Sequence, residues 1–201
     1  MPTLDLPTIT PDGENWTLEF NTQTFTSDLN GAIQTAELPG ARWSVSMTFS
    51  NRFGRAAWAL QATLAKLAGR AGRFYVTPAD WEDRAGNASG TGAVATDASG
   101  GTSIDTDGWD INITDLFYAG SYFEVNGELK MVTADVDSDG TGLATIEFSP
   151  PLRKAVTDGM QIRHVEPRAI MMLSDDSQAN WGIQAPAIYA VTIDAMEALD
   201  I

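Results

Sequence analysis

Apolar and polar side chains alternate along much of the first fifty residues. Between residues 42 and 49, every second side chain is apolar: Trp43, Val45, Met47 and Phe49. The same spacing relates Trp16, Leu18 and Phe20 earlier in the chain. A period of two residues places such side chains on one face of a β-strand, so residues 16–49 are predicted to form half-buried strands.

The period changes after residue 50. From Asn51, which suits a helix N-cap, to Gly69, which suits the position after a helix, the chain is rich in alanine and leucine. The apolar side chains that fall at helical spacing on one stripe are Ala57, Leu60, Leu64 and Leu67. This stripe predicts one long α-helix near residues 51–69, followed by a short strand at 73–76.

A segment of small residues at 85–103 interrupts the periodic pattern, and its composition is typical of a boundary or a long loop. Gly90-Thr91-Gly92 within it is interpreted as linker, because no strand–turn–helix pattern frames a phosphate-binding loop there. Beyond the segment, β patterns return and are separated by turn sequences such as Asn126-Gly127. The predicted strands lie at 122–125, 129–136, 143–148, 161–165, 169–173, 181–183 and 187–198.

These patterns predict a mainly β fold with one long α-helix. A chain of 201 residues is long enough for one large domain or two small ones. Residues 1–84 and 166–201 are expected to form a discontinuous, β-rich hub domain that contains the helix. Residues 85–165 are expected to form a linker and an inserted small domain that resembles a β-barrel.

The charges are unevenly distributed along the chain, which carries 27 acidic and 12 basic side chains and a formal net charge of −15. Residues 1–40 contain six acids and no base, whereas residues 41–79 contain six bases and no acid. We call these six bases the basic band; they are Arg42, Arg52, Arg55, Lys66, Arg70 and Arg73.

The net negative charge argues against free nucleic acid and anionic membranes as partners. A basic band inside an acidic chain instead suggests a surface that meets an acidic surface on a second copy of the chain. Several of its bases lie off the apolar stripe of the predicted helix and are available to a partner. The basic band is therefore the candidate subunit interface, and ordinary solvated charge is the alternative interpretation.

The residue types that usually carry catalysis or bind metal do not form a complete catalytic or metal-binding motif in this sequence. The chain has no cysteine, and its one histidine, His164, is expected to be structural because no Gly-x-Ser-x-Gly motif frames a nucleophile. Asp135–Gly140 matches the first half of a calcium loop, but Ile146 occupies the position of the bidentate glutamate. A hairpin turn with solvated carboxylates is predicted there instead. We expect no enzymatic activity, no cofactor and no metal ion.

The tryptophans offer a second interpretation of function. Four of them fit predicted core faces, and they are Trp16, Trp43, Trp58 and Trp181. Trp81 and Trp109 lie beside loops, where the ring of a tryptophan can contact a bound ligand and its N–H can donate a hydrogen bond. A stand-alone carbohydrate- or receptor-binding β module that uses these two rings and the loop carboxylates is therefore the alternative to the function that follows.

A specific order of sequence motifs runs through the chain. Leu38-Pro39-Gly40-Ala41-Arg42-Trp43 leads into an alternating strand, the predicted helix follows, and Gly72-Arg73-Phe74-Tyr75-Val76 comes next. Later strings in the order are Thr106-Asp107-Gly108-Trp109, Pro150-Pro151-Leu152-Arg153 and the strand-like ending at 189–197. In this order the chain resembles the distal tail, or baseplate hub, proteins of long-tailed bacteriophages.

The resemblance implies a structural virion protein of a phage tail tip. Proteins of that family form a ring, commonly a hexamer, that joins the tail tube to the baseplate and receptor-binding apparatus. The implied partners are copies of the chain and other tail proteins, such as the tail tube and tip proteins. The implied location is the virion, after synthesis in the host cytoplasm. Neither a signal peptide, a membrane span nor sequence-specific binding of nucleic acid is expected.

Overall fold

The computed structural model of the protein describes residues 3–185 and 187–198. The protein is mainly β and has one α-helix in this part of the chain, as predicted. In chain order, the strands are β1 (Leu4–Asp5), β2 (Gly13–Thr26), β3 (Ile33–Arg52), β4 (Phe74–Val76), β5 (Gly90–Val94), β6 (Ser103–Trp109), β7 (Tyr122–Val125), β8 (Glu128–Val132), β9 (Ala144–Ser149), β10 (Ala169–Leu173), β11 (Gly182–Gln184) and β12 (Ile188–Glu197).

The strands form two curled sheets. The first sheet combines the two ends of the chain in the order β1–β4–β10–β12–β3–β2, and β11 pairs with β12 beside this path. Only the β1–β4 pair in it is parallel among the described strands. The second sheet comes from the middle of the chain in the order β5–β6–β9–β8–β7 and is antiparallel.

The helix, α1, spans Gly54–Leu67 and is shorter than the predicted 51–69. Asn51 is not its N-cap, because β3 remains paired with β12 as far as Arg52, and Phe53 holds the capping position. The helix ends where Ala68 adopts a left-handed conformation and its N–H bonds the carbonyl of Ala65. The predicted apolar stripe is confirmed, since its four side chains are the buried residues of α1.

Two interpretations of the middle segment were wrong. Residues 90–94 form β5 rather than a linker, and the small side chains there allow close packing. A Cβ on Gly92 would lie 2.1 Å from the ring of Trp109, so glycine is required for this strand to lie against the indole. Residues 161–165 form no strand and contribute only isolated bridges, such as the one between Glu124 and Arg163.

Three aromatic side chains also lie elsewhere than predicted. Phe20 is 58% exposed, because the pairing of β2 with β3 shifts just after Glu19 and the strand then leaves the core. Trp58 is 56% exposed, because it projects from α1 away from the apolar stripe. Trp109, expected beside a loop, is buried in the second sheet's core with Phe117 and His164 against its ring.

The two sheets share part of one hydrophobic core. Tyr122 and Leu129, from the second sheet, are buried among the side chains that α1 and the first sheet contribute. Trp43 stands at this junction, with its ring edge-on to Tyr122 and its indole N–H donated to the carbonyl of Leu129 at 3.1 Å. A separate core lies inside the second sheet around Phe117, Phe123 and other buried residues.

The apolar stripe of α1 supports a first prediction. Leu64 is 1% exposed in the shared core, so Leu64→Ala should lower the free energy of unfolding by about 2–5 kcal/mol through lost burial and a cavity. Chemical denaturation measures this change. The control, Lys66→Ala on the exposed side of the same helix, should change it by less than about 0.5 kcal/mol. Equal effects of the two variants would contradict the packing.

Candidate subunit interface

The paired ends of β2 and β3 extend beyond the rest of the first sheet. The two strands remain paired along Asn21–Thr26 of β2, whereas β12 pairs with β3 only from Ser44 onward. We call residues 21–38 the arm. A turn closes its tip, where Ser27 and Ala32 are joined by a backbone hydrogen bond of 2.8 Å. Six residue pairs at about 3.4 Å each give this ladder a length of roughly 20 Å.

The arm is exposed on both faces, although the sequence predicted half-buried strands there. All of its side chains are exposed except Ser27 and Ala36, which are half-buried. Four of the exposed side chains are large and apolar: Phe25 is 52% exposed, Leu29 99%, Ile33 65% and Leu38 40%. Apolar side chains gathered on a projecting element are typical of a surface that a partner covers.

The structure divides the basic band into members with different surroundings. Arg42 and Arg52 lie ten residues apart on β3 and contact acids of their own chain. The Arg42 Nε lies 3.9 Å from Glu19, and an Arg52 Nη lies 3.0 Å from Asp12. The positive charges of these two arginines are therefore already partly neutralised within their own chain.

The remaining four bases lie on or after the helix. Arg55 and Lys66 are exposed on α1, and Arg70 is exposed in the 3-10 turn Gly69–Ala71. Arg73 follows that turn and donates hydrogen bonds to three carbonyls of the turn and its neighbour. The basic band is thus not one continuous patch. Arg55 and Lys66 are the two members that share one exposed helix face.

An aromatic group accompanies these two bases. The indole N–H of Trp58 donates to the Tyr189 hydroxyl at 3.3 Å, which links the exposed ring to β12. Phe53, just before the helix, is 59% exposed. The surface around Arg55 therefore combines positive charge with exposed aromatic area, a composition that is enriched in protein interfaces.

Buried charges join the two sheets near the base of the arm. Lys130 and Glu128 of β8 form an ion pair at 2.6 Å, and both side chains are almost fully buried. The Arg153 guanidinium contacts Glu128 on one side and, at 2.5 Å, the carboxylate of Glu197 of β12 on the other. Arg153 also donates to the carbonyl of Ala41, and Glu197 accepts the N–H of Trp43. We call these four charged residues the bridge cluster.

The ionisation of the bridge cluster follows from its burial. Burial raises the pKa of the Glu128 carboxyl, but the Lys130 ammonium, its hydrogen bond and Arg153 outweigh this and hold that pKa below its ordinary value. Burial lowers the pKa of the Lys130 amine, and attraction to Glu128 opposes the change. Sequence reasoning missed this cluster, since charged side chains at alternating strand positions usually indicate a solvated face.

Two clefts open between the sheets. One of about 660 Å³ lies at the base of the arm and is lined mainly by apolar groups of residues 37–41, 100–102 and 151–153. The other, of about 520 Å³, is lined by Trp16, Trp43 and Tyr122 together with Glu14, Asp80 and Arg84. The Arg84 guanidinium lies over the Tyr122 ring at 5.2 Å. Trp81 packs against the neighbouring core, half-buried.

The calcium-like string lies in the connection between β8 and β9, but its carboxylates are engaged rather than simply solvated. Asp135 and Asp137 accept backbone N–H groups of Ala119 and Asp115, and thereby fix the 110–119 segment. Hydrogen bonds from Leu143 and Thr141 hold the pKa of the Asp139 carboxyl below its ordinary value. Among the described residues, no three acidic or histidine side chains converge as a metal site would require.

His164 lies half-buried beside the second core. Its ring meets the rings of Trp109 and Phe117 edge-on, at 5.4 and 6.4 Å between ring centres. Burial lowers the pKa of the His164 imidazole, against a smaller opposite effect of a backbone hydrogen bond at Ile162. The geometry is that of a packed aromatic side chain.

No protein-family model matches the chain, and no curated protein matches it either. In residues 3–185 and 187–198, α1 included, no helix has both the length and the apolar character that a membrane crossing demands.

The bridge cluster supports a prediction about pH. Glu128→Gln removes one partner of a buried pair and leaves Lys130 uncompensated, so at pH 7 it should lower the free energy of unfolding by about 3–5 kcal/mol. Since the folded pKa of Glu128 is lowered, its contribution is present above the ordinary value of 4.5 and is lost as pH falls through the folded pKa. The acid-induced loss of stability should therefore be smaller in the variant.

Denaturant melts across this pH range measure both effects. The control is Glu147→Gln, an exposed glutamate of β9, which should leave stability and its pH dependence close to those of the wild type. An equal acid-induced loss in Glu128→Gln and the wild type would show that Glu128 does not titrate in this way.

Proposed function

We propose that this protein is a structural subunit of the tail tip of a long-tailed bacteriophage, where it forms a ring between the tail tube and the baseplate. The observation that carries the proposal is the arm, a projecting hairpin with large apolar side chains exposed on it. The proposed family rests on the resemblance in the order of sequence motifs, and the expected number of six subunits comes from the same resemblance.

The arm favours assembly over a monomeric role for two physical reasons. Exposed side chains such as Leu29 and Ile33 gain free energy when a partner covers them, at about 25 cal/mol per Å². In addition, β2 lies at the edge of the first sheet, and an exposed edge strand is normally shortened, covered or protected by charge. A strand of 14 residues at that edge is well suited to a permanent neighbour.

We further propose that residues 85–165 form an inserted domain on a hub built from residues 1–84 and 166–201. The strand composition of the two sheets supports this division, because β5 to β9 all belong to the second sheet. The bridge cluster and the Trp43–Leu129 hydrogen bond support a fixed rather than a hinged attachment. A fixed second domain suits a protein that holds other tail components at defined positions.

The chemistry of the molecule supports a structural role in place of catalysis. The titratable groups with the strongest burial, in the bridge cluster, are all engaged in ion pairs and backbone hydrogen bonds. The net charge of −15 further suits a particle whose lumen passes DNA without retaining it. The proposed partners are copies of the chain, the tail tube and tip proteins, and the proposed location is the virion.

The proposal predicts assembly that depends on the arm. The wild-type protein, alone or with tail-tube protein, should appear as rings in electron micrographs and as oligomers in light scattering. A variant in which residues 22–37 are replaced by a two-residue Asn-Gly turn should remain folded, because the arm contributes no side chain to either core. That variant should be monomeric. A wild-type protein that stays monomeric under all these conditions would refute the ring.

A second candidate function is the binding of a sugar at the host surface. The cleft lined by Trp16, Tyr122 and Arg84 favours it, since aromatic walls with a few polar groups are typical of ligand sites. The prediction that the Trp109 ring takes part in such a site is wrong, because that ring is buried. Tryptophan fluorescence during titration with bacterial-envelope saccharides tests this candidate, with Tyr122→Phe expected to weaken any binding. An unchanged fluorescence across the panel would reject it.

A further inference from the structure

The outer face of α1 differs from an ordinary solvated helix face. Arg55, Ala59, Ala62 and Lys66 fall at intervals of four, three and four residues, so they form one stripe, and all four are exposed. Trp58 lies beside this stripe and is 56% exposed. A solvated face usually carries polar side chains throughout, whereas this one carries alanines and an indole between two cations. We call it the helix face.

The arm carries the opposite charge and a similar apolar content. Side chains of paired residues share one face of a hairpin, so Ile33, Glu37 and four threonines point to the same side. Asp28 and Leu29 lie in the turn, and Leu29 is 99% exposed. The arm therefore presents apolar side chains near its tip, with Asp28 at the tip and Glu37 where the arm leaves the sheet. It contains no lysine or arginine.

The charges on the two surfaces have similar spacings. Arg55 and Lys66 are separated by eleven residues of helix, or about 16 Å at 1.5 Å per residue. Glu37 is paired with Thr22, and six residues of strand and turn separate Thr22 from Asp28, at most roughly 20 Å along the arm. Two acids can thus face two bases while the apolar side chains between them meet.

The two surfaces of one molecule cannot make this contact with each other. The arm continues β3 away from the sheet, whereas α1 begins after the opposite end of the same strand. Bringing the arm back to α1 would break the β2–β3 ladder. The contact therefore has to join different copies.

We propose that the arm of one copy docks on the helix face of the next. In this contact, Leu29 and Ile33 cover Trp58 and the alanines, and Asp28 and Glu37 face Arg55 and Lys66. This inference rests on the proposed ring and names the two surfaces that build it. Small side chains at Ala59 and Ala62 let the hairpin approach the helix closely. Because the two patches differ, the contact is head-to-tail and repeats around a closed ring.

Charge reversal on each surface tests the docking. The helix variant is Arg55→Glu with Lys66→Glu, and the arm variant is Asp28→Lys with Glu37→Lys. Each places like charges opposite each other and should raise the concentration needed for assembly at least tenfold, with little change in monomer stability. A variant that carries all four substitutions restores opposite charges and should assemble again. Sedimentation at low and moderate salt measures these concentrations.

A mixture of the two variants gives a sharper result. The helix variant keeps an intact arm, and the arm variant keeps an intact helix face, so one productive contact remains between them. The reversed arm of one variant also carries the opposite charge to the reversed helix face of the other. An equimolar mixture should therefore recover assembly toward the level of the wild type. The control, Glu147→Lys with Asp158→Lys, changes the net charge as the arm variant does, on β9 and in the loop that follows it, and should assemble as the wild type does.

Introduced thiols locate the contact, because the chain has no cysteine of its own. A mixture of Leu29→Cys and Ala62→Cys proteins should form cross-linked dimers with a short bis-maleimide. Leu29→Cys mixed with Thr157→Cys, an exposed position on the second sheet's side, should not. Each protein is the full chain, and circular dichroism checks that it is folded.

The outcomes separate this docking from the ring itself. If the wild type forms rings but neither reversal weakens them, or the four-substitution variant is no better than the single-surface variants, the docking is wrong and the ring stands. Equal cross-linking of Leu29→Cys to positions 62 and 157 would also overturn the docking. If the wild type never assembles, the proposed function and the docking fail together.

Discussion

The contact of Arg153 with two buried carboxylates holds the two sheets in one arrangement. Its guanidinium lies between Glu128 of the second sheet and Glu197 of the first, and it also meets the carbonyl of Ala41 on β3. Buried charges tolerate little displacement, because each depends on its partners to offset lost hydration. The sheets therefore cannot slide over each other without exposing unpaired charge, and the base of the arm is fixed by the same contact.

β3 joins a buried environment to an exposed one within 20 residues. Its second half is part of the shared core through Trp43 and the apolar side chains that follow. Its first half forms one side of the arm, where the apolar side chains Ile33 and Leu38 are exposed instead of packed in a core. The shift in pairing after Glu19 of β2 separates the two regimes. A single continuous strand thus transmits the rigidity of the core to the arm.

The sequence predicted the elements whose side chains obey one clear period. The stripe around Leu64 and the alternation around Val45 both appear in the first core. Gly92 and its neighbours were misread because their role is to leave space for Trp109, and small size carries no periodic signal. The bridge cluster was missed for a different reason: the buried Glu128 is paired not only with Lys130 but also with Arg153, a partner more than 20 residues away in the chain.

The candidate interface was predictable only in part. Charge segregation drew attention to Arg55 and Lys66, but the same pattern included Arg52, which the structure pairs with Asp12. In the sequence, the arm has the pattern of an ordinary pair of strands. The pattern does not reveal whether such a pair has further strands beside it or projects alone. The turn sequence around Asn30-Gly31 marks a hairpin, and only its distance from other strands shows that it projects.

For the proposed ring, a projecting apolar arm on a strongly anionic molecule also affects when oligomers form. Molecules with a net charge of −15 repel one another at long range, while the attraction of Leu29 and Ile33 acts only at contact. Such a balance slows spontaneous nucleation in dilute solution and favours growth on an existing template. The side chains proposed to stabilise the ring can therefore remain exposed on a newly made subunit without driving it into disordered aggregates.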